Sequence, residues 1–254
     1  MRWDPTQYAR YADERGRPFL DLLSRVRADS PRRVVDVGCG PGNLTALLAR
    51  RWPEARVEGL DSSPEMIAAA RDVPGATFFV ADATDWAPDS AVDVIVSNAV
   101  LQWVPGHTTL IRRWADGLPR GGWIAIQVPG NFASPSHRLM REIAESSRWK
   151  HKLGDVLRHD DPVGSPSEYA ALMLDAGLEA DAWETTYVHV LPGPDPVLDW
   201  VRGTGLRPVL AALSDGDAAQ FSAEYAEALH TAYPRRAEGT LFPFRRVFAV
   251  GHRT

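Results

Sequence analysis

The chain has 254 residues, with 28 basic and 33 acidic side chains, a formal net charge of −5 and 44% hydrophobic residues. That size fits one α/β domain, or one domain with a lid, and a negative balance without long basic runs offers no footprint for nucleic acid. A single cysteine excludes an internal disulfide, a zinc cluster and a three-cysteine iron–sulfur motif. No stretch approaches the roughly 20 apolar residues of a membrane span, and Met1-Arg2-Trp3-Asp4-Pro5 lacks the apolar run of a secretory leader. A cytoplasmic protein without a metal is expected. Only Lys150 and Lys152 are lysines, so arginine abundance by itself says nothing about a ligand.

Residues 6–28 carry Tyr8, Tyr11, Phe19, Leu22, Leu23 and Val26 in a broken helical pattern, interrupted at Gly16-Arg17-Pro18. A helix or two is expected, with Trp3, Tyr8 and Tyr11 either at the mouth of a site or on a buried face.

The run Arg33-Val34-Val35-Asp36-Val37 is β-branched and apolar, and it stops at Gly38-Cys39-Gly40-Pro41-Gly42-Asn43. Leu44, Leu47 and Leu48 then continue at helical spacing. Strand, tight turn and helix start follow one another, which leaves backbone N–H groups at the carboxyl end of a sheet, where α/β folds bind ligands. Asn43 stands where the dinucleotide fingerprint G-x-G-x-x-G needs its last glycine, and no Lys-Ser/Thr pair follows as in a Walker A loop. Asp36, two residues before the first glycine, would repel a pyrophosphate and suits a ligand with an amino group and a positive charge.

Two more acids follow at strand ends. Arg56 to Asp61 reads as a second strand whose terminal carboxylate can accept ribose hydroxyls. Ser62 or Ser63 caps a helix opened by Pro64 and continued by Met66, Ile67 and Ala70. Thr77-Phe78-Phe79-Val80 leads to Asp82, a candidate acceptor for an adenine amino group, with Ala83 near the ring. The glycine pattern with its leading acid resembles the first motif of class I methyltransferases that use S-adenosylmethionine. The resemblance implies that Asp36, Gly38, Gly40, Gly42, Asn43, Asp61, Ser62, Met66, Asp82 and Ala83 serve that cofactor.

Asp93 to Ser97 reads as a fourth strand, followed by Asn98-Ala99-Val100-Leu101-Gln102-Trp103. In this architecture that loop faces cofactor and acceptor, which adds Asn98 and Gln102 to the cofactor set. The Asn-Pro-Pro-Tyr or Asp-Pro-Pro-Tyr of enzymes that methylate amide or nucleobase nitrogens is absent. Further elements are a helix over His107–Leu118, a strand over Trp123–Val128, a helix over 135–147 and a polar stretch from Lys150 to Gly164. A helix over Ser167–Ala176 ends at Gly177, a C-cap signal. The strand Glu179–Leu191 sets Trp183, Thr185, Tyr187 and His189 on one face. Helices over Pro196–Arg202, Pro208–Leu213 and Asp215–Tyr233 and a strand over Phe244–Val250 complete the chain. The fold class is α/β, a doubly wound, seven-stranded, mostly parallel Rossmann-like sheet in a single domain. Its cofactor-binding core spans about 30–130, and helical lid insertions fall at about 130–165 and 192–242.

The chain also resembles, almost end to end, the trans-aconitate 2-methyltransferase family, small bacterial enzymes that form the monomethyl ester of a tricarboxylate. The resemblance is carried by Asp36 to Asn43, Leu60 to Ile67, Leu101-Gln102-Trp103, Leu139-Met140-Arg141-Glu142, Thr185-Thr186-Tyr187, Asp199-Trp200-Val201 and Thr204-Gly205-Leu206-Arg207-Pro208. Arg148 to Pro162 matches less closely. The implied reaction needs no general base, because a carboxylate is already ionised at neutral pH. A trianionic acceptor needs local cations: Arg207 and Arg246 are the candidates, with Tyr8, Trp103, Tyr187, His189 and Trp200 shaping the pocket. The alternatives are an O-methyltransferase for a phenol or quinone, and a protein that binds the cofactor without catalysis. A dehydrogenase is disfavoured by Asn43.

Overall fold

The computed structural model describes residues 12–157 and 161–254. Its elements in chain order begin with α1 (Ala12–Leu23), β1 (Arg33–Val37), α2 (Thr45–Arg51), β2 (Arg56–Asp61), α3 (Pro64–Ala70), β3 (Thr77–Val80) and β4 (Val94–Asn98). A 3-10 turn at Leu101–Trp103 leads to α4 (His107–Gly117), β5 (Trp123–Pro129), α5 (Pro135–Ala144), α6 (Lys150–Leu153) and α7 (Pro166–Asp175). Then come β6 (Glu179–Leu191), α8 (Pro196–Arg202), α9 (Arg207–Ala212), α10 (Asp215–Ala232), β7 (Arg235–Arg236) and β8 (Gly239–His252). The chain forms two compact units. One holds residues up to Pro129 with Val163–Glu184 and Arg246–Thr254, the other Gly130–Pro162 with Thr185–Arg245.

The strands run in the order β3-β2-β1-β4-β5-β8-β6, with the short β7 against β8. Pairings among β1 to β5 are parallel, and β8 joins β5 antiparallel. This is the expected mostly parallel, doubly wound sheet. Strand order reverses between β1 and β4, the switch point at which such sheets open a crevice beyond their carboxyl ends. The sequence dictates this arrangement: β1, β4 and β5 are near-continuous apolar runs, as strands covered on both faces must be. Val35, Val37, Ile95, Ile124, Ile126 and Val128 pack on one face with Leu110, Ile111 and Trp114 of α4 and with Tyr169 and Met173 of α7. Each such buried side chain contributes roughly 1.5–3 kcal/mol.

α1 covers β5. The break expected at Gly16-Arg17-Pro18 does not occur: one helix runs through Pro18. A proline inside a helix costs about 3 kcal/mol, but Phe19 and Leu22 are wholly buried and Leu23 nearly so, which offsets it. The buried acid of β2, Glu58, is held by Arg33 at 2.6 Å and Arg56 at 2.6 Å.

In the second unit, Ser136 at the start of α5 ties to α10 twice. Tyr225 donates to its carbonyl at 2.8 Å, and its N–H donates to Tyr233 Oη at 3.0 Å. α5 ends at Ala144, earlier than expected, and α6 opens the polar stretch that begins at Lys150. β8 starts at Gly239 rather than Phe244.

Candidate active site

The site starts from the turn after β1. Gly38 N–H and Cys39 N–H both donate to Leu60 O, at 2.7 and 2.9 Å, so the turn is anchored to β2. Gly38 has φ +79°, and a Cβ there would lie 2.1 Å from Val100 Cγ2. Only glycine lets the turn approach the loop after β4 so closely. Gly40 has φ +55°, and among the described residues nothing lies within 4 Å of where its Cβ would be. The turn therefore closes on the protein at Gly38 and, among the described residues, is uncovered at Gly40.

Three carboxylates stand at three successive strand tips in three environments. Asp36 on β1 is 3% exposed and accepts a hydrogen bond from Thr45 Oγ1 at 2.6 Å. Burial pushes its pKa up to about 7; Thr45 opposes the shift and Asp61 adds to it. Asp61, half-buried at the end of β2, accepts the Gly40 N–H on Oδ2 at 3.0 Å and the Ser63 N–H on Oδ1 at 2.9 Å. Burial raises its pKa, and those two N–H groups pull it back. Asp82, exposed after β3, accepts the backbone N–H of Thr84 at 2.8 Å and its hydroxyl at 2.7 Å, which hold its pKa below the usual carboxylate range. The thiol of Cys39, in the turn itself, is pushed far upward by burial and by Asp36 and Asp61, so it stays protonated.

Around them, Asn43 and Ser62 are exposed, whereas Met66 and Ala83 are buried. The cap of α3 is Ser63, whose Oγ accepts the Met66 N–H at 3.3 Å. The loop after β4 is strained: Ala99 has φ +59°, a conformation that non-glycine residues adopt at a cost and that clusters at functional sites. Gln102 Nε2 donates to Ala99 O at 2.7 Å, and Ala99 N–H donates to Gln127 O at 2.8 Å, fixing that loop. Trp103 is half-buried in the same loop, and Asn98 sits in register with Gln127 on β5.

The residues expected to meet an acceptor belong to both units. Tyr8 lies outside the described residues. Arg246 belongs to the first unit, 5% exposed on β8 opposite Pro129, and its Nη1 donates to Gln127 Oε1 at 3.4 Å. Tyr187, His189, Trp200 and Arg207 belong to the second unit. There His189 stacks on Trp200 with ring centroids 4.9 Å apart, and Trp200 packs against Phe242 and Phe244. Tyr187 and Trp200 are 3% and 1% exposed, so they build the core of that unit. Arg207 is half-buried at the start of α9. A cavity of about 770 Å³ in the second unit is lined by Asn131, Ser134, Val188, Tyr233, Arg236 and Arg245 among others, and by none of the expected ligand residues. Sequence reasoning missed Gln127, a polar residue wholly buried in an apolar strand.

Among the described residues no group of three or more His, Cys, Asp or Glu side chains is placed to hold a metal ion. A family profile described as a methyltransferase domain matches residues 8–182. A Streptomyces avermitilis protein named trans-aconitate 2-methyltransferase is 58% identical, covering 99% of this chain and 97% of its own. A protein of the same name from Rhodococcus jostii is 56% identical, covering 98% of each chain. Among solved structures, geranyl diphosphate C-methyltransferase from Streptomyces coelicolor, with S-adenosyl-L-homocysteine bound, aligns with a TM-score of 0.54 at 17% identity, over 98% of this chain and 82% of that one. At that identity the likeness is one of fold.

Proposed function

We infer, from the premise that this chain belongs to the trans-aconitate 2-methyltransferase family of S-adenosylmethionine-dependent methyltransferases, that its reaction is formation of a monomethyl ester of trans-aconitate or a close tricarboxylate. The observation that carries this reading is the 58% identity to a protein of that name over 99% of the chain. The residues present suit the cofactor. Its amino group, ribose diol and adenine amine are donors, and Asp36, Asp61 and Asp82 are acceptors at three neighbouring strand tips. Among the described residues nothing crowds Gly40, which leaves room for a ligand to approach the turn's backbone.

Held by Asp36, Asp61 and Asp82, the cofactor would supply a methyl group activated on a sulfonium sulfur, which a carboxylate oxygen could accept with the thioether as leaving group and without any proton transfer. Asp36 complements a cation with a buried negative charge, and Asp61 holds Gly40 so that the turn keeps its shape. No base is required, because the acceptor is ionised well below neutral pH. Opposite charges vanish as the bond forms, so excluding water helps. The chain's main contribution is to hold the two reactants at contact distance.

An acceptor with three negative charges needs a cation near acids, and of the two candidate arginines, Arg207 and Arg246, it is the buried Arg246 that belongs to the unit carrying Asp36, Asp61 and Asp82. A charge-assisted hydrogen bond contributes roughly 1.5–3 kcal/mol. A cytoplasmic location belongs to the same proposal; no helix among the described residues is long and apolar enough to cross a membrane. Steady-state kinetics with tri-, di- and monocarboxylates and with a phenol tests the reading. It expects the highest kcat/KM for trans-aconitate; turnover of the phenol with none of any acid would refute it.

A further inference from the structure

Two buried side-chain atoms at the ends of β4 and β5 have no hydrogen-bond partner among the described residues: Asn98 Oδ1 and Gln127 Nε2. The two residues are direct register partners, so their side chains share a face of the sheet. Gln127 is wholly buried. An apolar side chain of the same length would fill that place without the desolvation penalty of an unsatisfied amide N–H. The other end of the same amide is in use, since Gln127 Oε1 accepts from Arg246 Nη1 at 3.4 Å. On β8, Phe248 is in register with Gln127 and Arg246 with Pro129. Arg246 therefore lies on the same face as Gln127, one pleat further toward the end of β5. A guanidinium and an amide N–H thus stand side by side next to the strained loop at Ala99.

We propose that Gln127 and Arg246 together form a carboxylate subsite that sets which acids this enzyme accepts. This deepens the acceptor reading given above and rests on it. Arg246 supplies the charge. Gln127 Oε1 fixes the orientation of the guanidinium, and Gln127 Nε2–H donates to an oxygen of a carboxylate that is not being methylated. An ionised carboxylate only accepts hydrogen bonds and does so on both oxygens, which matches donors from two adjacent groups. In a buried setting such charge-assisted bonds are strong, and a neutral acceptor offers the guanidinium nothing in return.

Two variants of the full chain test this. Gln127→Met removes both amide atoms at similar length, and Gln127→Glu keeps Oε1 but turns the N–H into an acceptor. The proposal expects Gln127→Met to lower at least fivefold the preference for trans-aconitate over a dicarboxylate lacking one of its acids, read as the ratio of kcat/KM values. Affinity for S-adenosylhomocysteine, measured by titration calorimetry, stays within twofold of wild type. Gln127→Glu raises the trans-aconitate KM more than tenfold at pH 8, and part of that loss reverses toward pH 6 as the new carboxyl takes up a proton, a slope the wild type lacks. A merely structural role would lower both acids alike and give no such slope. Should Gln127→Met not fold, the slope in Gln127→Glu decides. Variants that bind the cofactor product normally and keep the wild-type preference and pH profile overturn the proposal. A wild-type protein that methylates neither acid overturns the acceptor reading itself, and this subsite with it.

Discussion

The carboxylate of Asp61 bonds to Gly40 across the tips of neighbouring strands, with Oδ2 accepting the Gly40 N–H at 3.0 Å while Oδ1 accepts that of Ser63 at 2.9 Å. One side chain therefore fixes both the glycine turn after β1 and the start of α3. Because Asp61 carries this structural duty, its loss reaches further than one ligand contact. Asp61→Ala removes both bonds and exposes two backbone donors to rearrangement. Chemical denaturation is expected to show a loss of about 3–6 kcal/mol for two charge-assisted bonds. Affinity for S-adenosylhomocysteine falls at least tenfold, and Asp61→Asn, which keeps one acceptor oxygen, falls between.

Asp36 gives a pH signature. Its carboxyl is pushed up to about 7 by burial, against about 3.9 in an unfolded chain. The native state then binds the proton more tightly than the unfolded one. Stability contributed by this group is full below about pH 4 and declines as pH rises through about 7. Asp36→Asn is expected to raise the melting temperature relative to wild type at pH 8 and not at pH 4. A cationic ligand favours the ionised form, so cofactor binding near pH 6.5 releases a proton. Calorimetry in buffers of different ionisation heat reads that release, and Asp36→Asn abolishes it.

Gly38 and Val100 are coupled by contact. Gly38→Ala places a Cβ at 2.1 Å from Val100 Cγ2, at a φ of +79°. Backbone strain of roughly 1–2 kcal/mol adds to overpacking of roughly 1–3 kcal/mol. Val100→Ala in the same chain relieves the second part only. A double-mutant cycle by urea unfolding is expected to give a coupling energy of at least about 1 kcal/mol.

Removal of the Arg246 charge separates acceptor from cofactor. Arg246→Met is expected to raise the trans-aconitate KM roughly 10- to 100-fold, the equivalent of one strong charge-assisted bond, with the affinity for S-adenosylhomocysteine little changed. A parallel loss of cofactor affinity would place Arg246 in the turn's scaffold instead.

The stretch from Arg33 to Leu48 announces its structure because every signal in it is local: a β-branched run, glycines at positive φ, then leucines at helical spacing. The acids at the ends of β1, β2 and β3 follow from the same pattern. Elements held by distant partners are harder to see. The helix through Pro18 depends on burial of Phe19 and Leu22, which outweighs a local breaker. The short α6 follows Trp149, buried and bonded to Glu224 75 residues away at 2.7 Å, and includes Lys152, paired with Asp217; neither partner can be read from a polar stretch. β8 starts before Pro243, which reads as a break, yet an exposed strand proline is tolerated where no ladder N–H is needed. Gln127 reads as one residue of an apolar strand, and only the register that brings Asn98 and Arg246 beside it reveals a polar file. The unit of Tyr187, His189 and Trp200 shows the reverse case, where aromatic residues at alternating positions signal packing before anything else.

The most direct measurement is identification of the product formed from trans-aconitate and S-adenosylmethionine carrying an isotopically labelled methyl group. The account predicts a single labelled monomethyl ester by mass spectrometry, released as methanol by mild base with recovery of the free acid. Label that stays on the acceptor through base treatment, or appears on no carboxylic acid at all, would contradict it.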